Sequence, residues 1–117
     1  MPQLKGAKFV TLTIASGAAV SEEFDMSEYT KGILLMPAAW TAASVGFQVA
    51  SASGGTFYPL YAAAATISEI DGPAVDKAYA FPAETANAGI VKLWSQDGAG
   101  ANTNQAAART IVVILKS

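Results

Sequence analysis

Val45, Phe47 and Val49 are interleaved with Gly46 and Gln48. That period of two is what a β-strand needs to send one set of side chains into a core and the other toward water or a neighbour. A Ser53-Gly54-Gly55 turn follows, and F-Y-P-L-Y at 57–61 runs back, so 45–49 and 57–61 read as a β-hairpin. Upstream, the apolar run I-L-L-M at 33–36 is separated from the hairpin by a P-A-A-W-T bend. The stretch 32–61 commits the chain to sheets and carries no group that performs chemistry.

The flanks follow the same pattern. F-V-T-L-T-I at 9–14 sends Val10, Leu12 and Ile14 one way and Phe9, Thr11 and Thr13 the other. A weaker strand is expected over 18–24, an edge blunted by Glu22, Glu23 and Asp25, and then one helical turn over 25–30. Residues 61–66 read as a loop, because four alanines are too few to nucleate a helix, and 66–70 as a short strand. An extended piece at 77–81 and a bend at 82–89 lead to a strand at 90–96, where Trp94 falls on the more polar face. Residues 97–107 form the longest loop. The last strand, R-T-I-V-V-I-L-K at 109–116, has five consecutive apolar residues and therefore needs cover on both faces. The predicted fold is all-β: a two-sheet antiparallel β-sandwich, jelly-roll-like, with about eight strands. Residues 1–8 are expected to be a flexible arm and 9–117 a single domain.

Composition narrows the chemistry. The chain has 117 residues, 14% of them charged, and a formal net charge of −2, so its surface is unusually neutral. Cysteine and histidine are both absent, which removes thiolate nucleophiles, disulfides, the common transition-metal sites and imidazole acid–base catalysis. The scattered lysines form no stripe for a phosphate backbone, and no apolar run is long enough for a signal peptide or a membrane span. No cofactor, nucleic acid or membrane partner is expected.

Three constellations remain. Glu22, Glu23, Asp25 and Glu28 could supply an acid pair, but adjacent acids on a short run read as a solvated edge and a turn. Asp71, Asp76 and Asp97 with loop carbonyls could hold calcium, yet they lack the spacing of a calcium loop, and Asp97-Gly98 reads more simply as a turn. Trp94, Tyr58, Tyr61 and Tyr79 could stack on sugars, in the manner of a carbohydrate-binding module. The competing reading makes Trp94, Trp40, Ile111, Val113 and Leu115 an interface.

Four blocks carry a family resemblance: I-L-L-M-P-A-A-W-T-A-A-S-V-G-F-Q-V-A-S-A-S-G-G-T-F-Y-P-L-Y at 33–61, K-A-Y-A-F-P-A-E at 77–84, I-V-K-L-W-S at 90–95 and N-Q-A-A-A-R-T-I-V-V-I-L-K at 104–116. Together they resemble the small β-sandwich virion proteins of tailed bacteriophages and prophages. That resemblance implies a non-enzymatic capsid decoration or cement protein, made in the host cytoplasm and placed on the capsid surface. It further implies a homo-oligomer, with a trimer favoured, that binds the major capsid protein. The alternative it leaves open is a glycan-binding module of a tail or head fibre.

Overall fold

The computed structural model describes residues 7–117. Its strands are β1 (Lys8–Ile14), β2 (Phe24–Asp25), β3 (Lys31–Leu35), β4 (Ser44–Ala50), β5 (Tyr58–Pro59), β6 (Tyr61–Ala63), β7 (Thr66–Ile67), β8 (Glu69–Ile70), β9 (Ala78–Ala80), β10 (Ile90–Gln96) and β11 (Arg109–Lys116). A 3-10 helix spans Ala83–Asn87. The fold is all-β and antiparallel, as expected. It has eleven strands in three sheets among the described residues, and no sheet closes on itself, so the jelly-roll form with about eight strands is not what the chain adopts. Most of the expected N-terminal arm, residues 1–6, lies outside the described residues, and Lys8 already belongs to β1.

The first sheet runs β1-β11-β3-β9 and the second β2-β10-β4-β5, with β8 also paired to β4; β6 and β7 make a separate hairpin. β11 lies between β1 and β3, and that central place answers its doubly apolar sequence on the hydrogen-bonding side. In the second sheet β10 and β4 form a seam of seven opposed pairs, from Ile90 opposite Ala50 to Gln96 opposite Ser44. The hairpin expected at 45–61 is present as β4 and β5, with Val49 opposite Tyr58.

Alternation along these strands builds one core between the two larger sheets. Leu12, Ile14, Leu34, Ile111, Val113 and Leu115 enter it from the first sheet, and Val45, Phe47, Val91 and Leu93 from the second. The Phe47 and Phe81 rings meet at 5.0 Å between centroids, tilted by 56°. Phe81 lies so close over Gly32 that a Cβ there would stand 2.6 Å from its ring, which is why that strand position carries no side chain.

Three local expectations give way to tertiary demands. The 61–66 segment pairs as β6 and β7 instead of looping, with Tyr61 opposite Ile67 and Ala63 opposite Thr66. The single strand expected at 66–70 is broken at buried Ser68, whose N–H donates to the Leu60 carbonyl and whose hydroxyl donates to Glu84 at 2.7 Å. That bend delivers β8 to the second sheet. The strand expected over 18–24 is reduced to single bridges, Ser21 to Ile14 and Val20 to Trp94, because this stretch crosses from the first sheet to the second. The single turn expected after Asp25 is present as one hydrogen-bonded turn, the Tyr29 N–H donating to the Met26 carbonyl at 3.0 Å, with the Ser27 N–H on the Asp25 carboxylate at 2.8 Å.

Phe47 is fully buried at the centre of this core. Phe47→Ala should destabilise the protein by about 3–5 kcal/mol in a denaturant titration, the range for truncating a buried phenylalanine. A loss below about 1 kcal/mol would contradict the packing described.

Candidate functional site

The outward face of the first sheet is apolar and uncovered among the described residues. Register defines its rows: Phe9 is opposite Ile114, Ile114 opposite Ile33, and Ile33 opposite Ala80. The next row is Thr11, Val112, Leu35 and Ala78. Phe9 is 71% exposed and Ile33 42%, whereas Val112, Ile114 and Leu35 are half-buried by their neighbours on the face. At the β9 side this face opens into a cleft of about 580 Å³ lined by Ile33, Ala80, Phe81, Pro82, Ala83 and Ile114, with Lys31 and Lys116 at one end. The 3-10 helix forms the far wall, held by the Thr85 hydroxyl donating to the Pro82 carbonyl at 2.7 Å.

Among the described residues both lateral edges of the same sheet carry unpaired amides, the β1 edge being bridged only at Ile14, to Ser21. The Thr13 N–H donates to the Glu22 carboxylate at 2.5 Å, away from β11. The alternation of an antiparallel ladder therefore turns the Phe9 and Thr11 amides outward as well. On the other edge the Phe81 N–H donates to the Gly32 carbonyl and the Met36 N–H to the Lys77 carbonyl, both at 2.9 Å. The same alternation turns Ala78 and Ala80 away from β3. None of these four amides has a partner among the described residues.

The second sheet solves the equivalent problem within the chain. Trp94 does lie on its outward face, but it is only 2% exposed. Its indole N–H donates to Asn102 Oδ1 at 2.7 Å, and its ring lies over Gly46, where a Cβ would come within 2.8 Å of it. The loop after β10 folds back along the edge of that strand and brings Asn102 to Trp94, pinned by Gln96 opposite Asn102 and by the Asp97 carboxylate, which accepts from the Ala99 and Ala101 amides at 2.8 and 3.1 Å. Those two donors hold the Asp97 carboxyl below its ordinary pKa. Farther along the same loop, Gln105 is fully buried and satisfied: it accepts from Thr41 N and Arg109 Nε and donates to Thr41 O and Ser95 Oγ.

These positions revise the sequence-derived site residues. Trp94 is covered by its own chain and offers neither a stacking face nor a subunit contact. Ile111, Val113 and Leu115 are fully buried core residues and present nothing to a neighbour; the outward face of β11 is carried by Val112 and Ile114. Trp40 is half-buried against the core with its indole N–H on the Ala43 carbonyl. Tyr79 is half-buried and accepts from the Ala74 amide, while Tyr58 and Tyr61 are exposed, at 65% and 42%. Glu22, Asp25 and Glu28 are exposed, as a solvated edge and a turn require, and three of the four acids also accept hydrogen bonds: Glu22 from the Thr13 amide, Asp25 from the Ser27 amide, and Glu23 from the Ser53 hydroxyl and the Gly54 amide of the β4–β5 turn. Those two turn donors hold the Glu23 carboxyl below its usual range. Asp71 accepts from the Ser44 hydroxyl, and no group of three or more acidic side chains gathers among the described residues. Sequence reasoning missed Phe9, Ile33, Ala80 and Phe81. The available signals were a large aromatic on the threonine face of 9–14 and apolar residues on both parities of 33–35.

No family model matches the chain, and no curated protein sequence does. Among solved structures, the chain is similar to the crystal structure of the SPBc2 prophage-derived protein YomS, with a TM-score of 0.54, 12% identity and 98% of each chain covered. The likeness is one of fold, and it extends over essentially the whole length of both chains.

Because the Asp97 pKa is lowered in the folded chain, its clip is at full strength above the ordinary carboxylate value of about 3.9 and is lost as pH falls through the lowered one. In a Trp40→Phe background, Trp94 fluorescence should stay blue-shifted at neutral pH and move red only below about pH 4. Asp97→Ala should show the red-shifted signal already at neutral pH. An unchanged spectrum in that variant would contradict the clip.

Proposed function

We propose that the protein is a non-catalytic structural subunit of a phage-type particle, working as a decoration or cement protein through self-association and contact with the major capsid protein. The observation that carries this reading is the outward face of the first sheet, where Phe9, Ile114, Ile33 and Ala80 form an apolar row ending in an apolar cleft. A contiguous exposed apolar face of this kind marks an interaction surface on a soluble protein. The fold shared with a prophage-derived protein supports the phage setting. The carboxylates support a structural role as well, since Glu22, Glu23, Asp25 and Asp97 are each engaged by main-chain amides of turns or strand ends.

Self-association suits such a subunit because many copies on a lattice multiply a weak contact, and a local three-fold position of a capsid would favour a trimer. The glycan reading is left with Tyr58 and Tyr61 alone, without the indole that was its principal platform.

An antibody against the chain, applied to particles purified on a density gradient from the cells that make it, should label the heads. Ile33→Lys should leave the unfolding midpoint within experimental error, since the side chain is already partly in water, and should reduce the particle-bound fraction at least tenfold. A wild-type chain that remains entirely in the soluble fraction would overturn the proposal.

A further inference from the structure

We infer that the occupant of this face and its edges is a second copy of the chain, joined head to tail, with β1 of one copy pairing antiparallel to β9 of the next and Phe9 entering the next copy's cleft. This deepens the reading of a self-associating subunit and rests on it.

Strand direction favours the arrangement. Directions alternate across β1-β11-β3-β9, so a neighbour set in the same orientation beside β9 presents its β1 antiparallel, and the ladder continues unbroken. The hydrogen-bonding groups match in number and spacing. Each edge presents two outward-turned residues separated by one, Phe9 and Thr11 on β1 and Ala80 and Ala78 on β9, so pairing Phe9 with Ala80 and Thr11 with Ala78 uses every one of them.

Side chains match in that same register. Within one copy the outward row ends in Phe9 at one edge and Ala80 at the other. Joining copies sets the largest exposed apolar side chain of the face beside its smallest, next to the cleft formed by Ala80, Phe81, Pro82 and Ala83. Glu22 ends the ladder by holding the Thr13 amide; the same register sets Lys77 of the next copy opposite Leu12 and Asp76 opposite Thr13. The contact uses two different surfaces, so it is heterologous, and repetition closes a ring or extends a filament. A two-fold contact of β1 with β1 would instead leave the cleft and the β9 edge empty.

The test uses proline and cysteine. Thr11→Pro and Ala80→Pro each remove an amide that faces away from its own sheet, so both variants keep their internal ladders. Each should be a folded monomer by sedimentation where the wild type is an oligomer. Mixed one to one they should form a dimer, because each retains the edge the other lacks. Separately, the chain has no cysteine of its own. Antiparallel hydrogen-bonded partners have Cα atoms about 5.5 Å apart, within disulfide range. Within one copy positions 9 and 80 are three strand spacings apart, roughly 14 Å, which is too far. Phe9→Cys/Ala80→Cys should therefore give disulfide-linked oligomers on mild oxidation, and either single variant should not. Efficient cross-linking of Phe9→Cys alone, or oligomers of Ala80→Pro like those of the wild type, would overturn the head-to-tail contact. A double-cysteine chain found on particles but never cross-linked would also overturn it, while leaving the structural role intact.

Discussion

β11 carries Ile111, Val113 and Leu115 on one face and Val112 and Ile114 on the other, and among the described residues only the first set is covered. Burying apolar area is the main favourable term in folding, at roughly 25 cal/mol per Å², and a strand in the middle of a sheet cannot rotate to hide its second face. The arrangement of the first sheet follows from this. β1 and β3 flank β11 and bring Phe9, Ile33 and Leu35 to the same outward surface, so the uncovered area spans the sheet. The face is a property of three strands together.

The second sheet meets the same requirement internally. Trp94 is as large and as outward-pointing as anything on the first sheet, yet it is only 2% exposed, its indole held by Asn102 of the loop that returns along β10 and is pinned by Asp97. Buried polar groups are tolerated there because each finds a partner; unpaired, each would cost a few kcal/mol. One sheet thus has a polar-latched cover of its own, and the other has an apolar face, an open cleft and two unpaired edges. That asymmetry is the ground for proposing a contact with a second copy.

Much of the scaffold was legible because it rests on a period of two. The alternation of Val45 and Phe47, of Val91 and Leu93, and of Leu12 and Ile14 places in the core the side chains that the structure places there, while Val49 and Val10, read on the same faces, are partly buried against it. The site was less legible. A run such as I-V-V-I-L states that both faces want cover but not which face the chain itself will supply, and Ile111, Val113 and Leu115 turned out to be the inner set. Trp94 on a polar parity looked available because its cover comes from a loop whose composition, Gly, Ala and Asn, gives no periodic signal. The cleft depends on Phe81 lying over Gly32, a contact across 49 positions of sequence that local pattern does not encode.

The central claim is that the two lateral edges of the first sheet are each other's partners in neighbouring copies. Residue-resolved amide hydrogen exchange at low and high protein concentration tests it most directly, because exchange reports the opening of individual hydrogen bonds. The account predicts that the amides of Phe9, Thr11, Ala78 and Ala80 exchange freely in dilute protein and become protected together as concentration rises. The amides of Val10 and Tyr79, which face their own sheet, should be protected throughout. Free exchange of those four edge amides at every concentration, or protection of the β1 pair without the β9 pair, would contradict it.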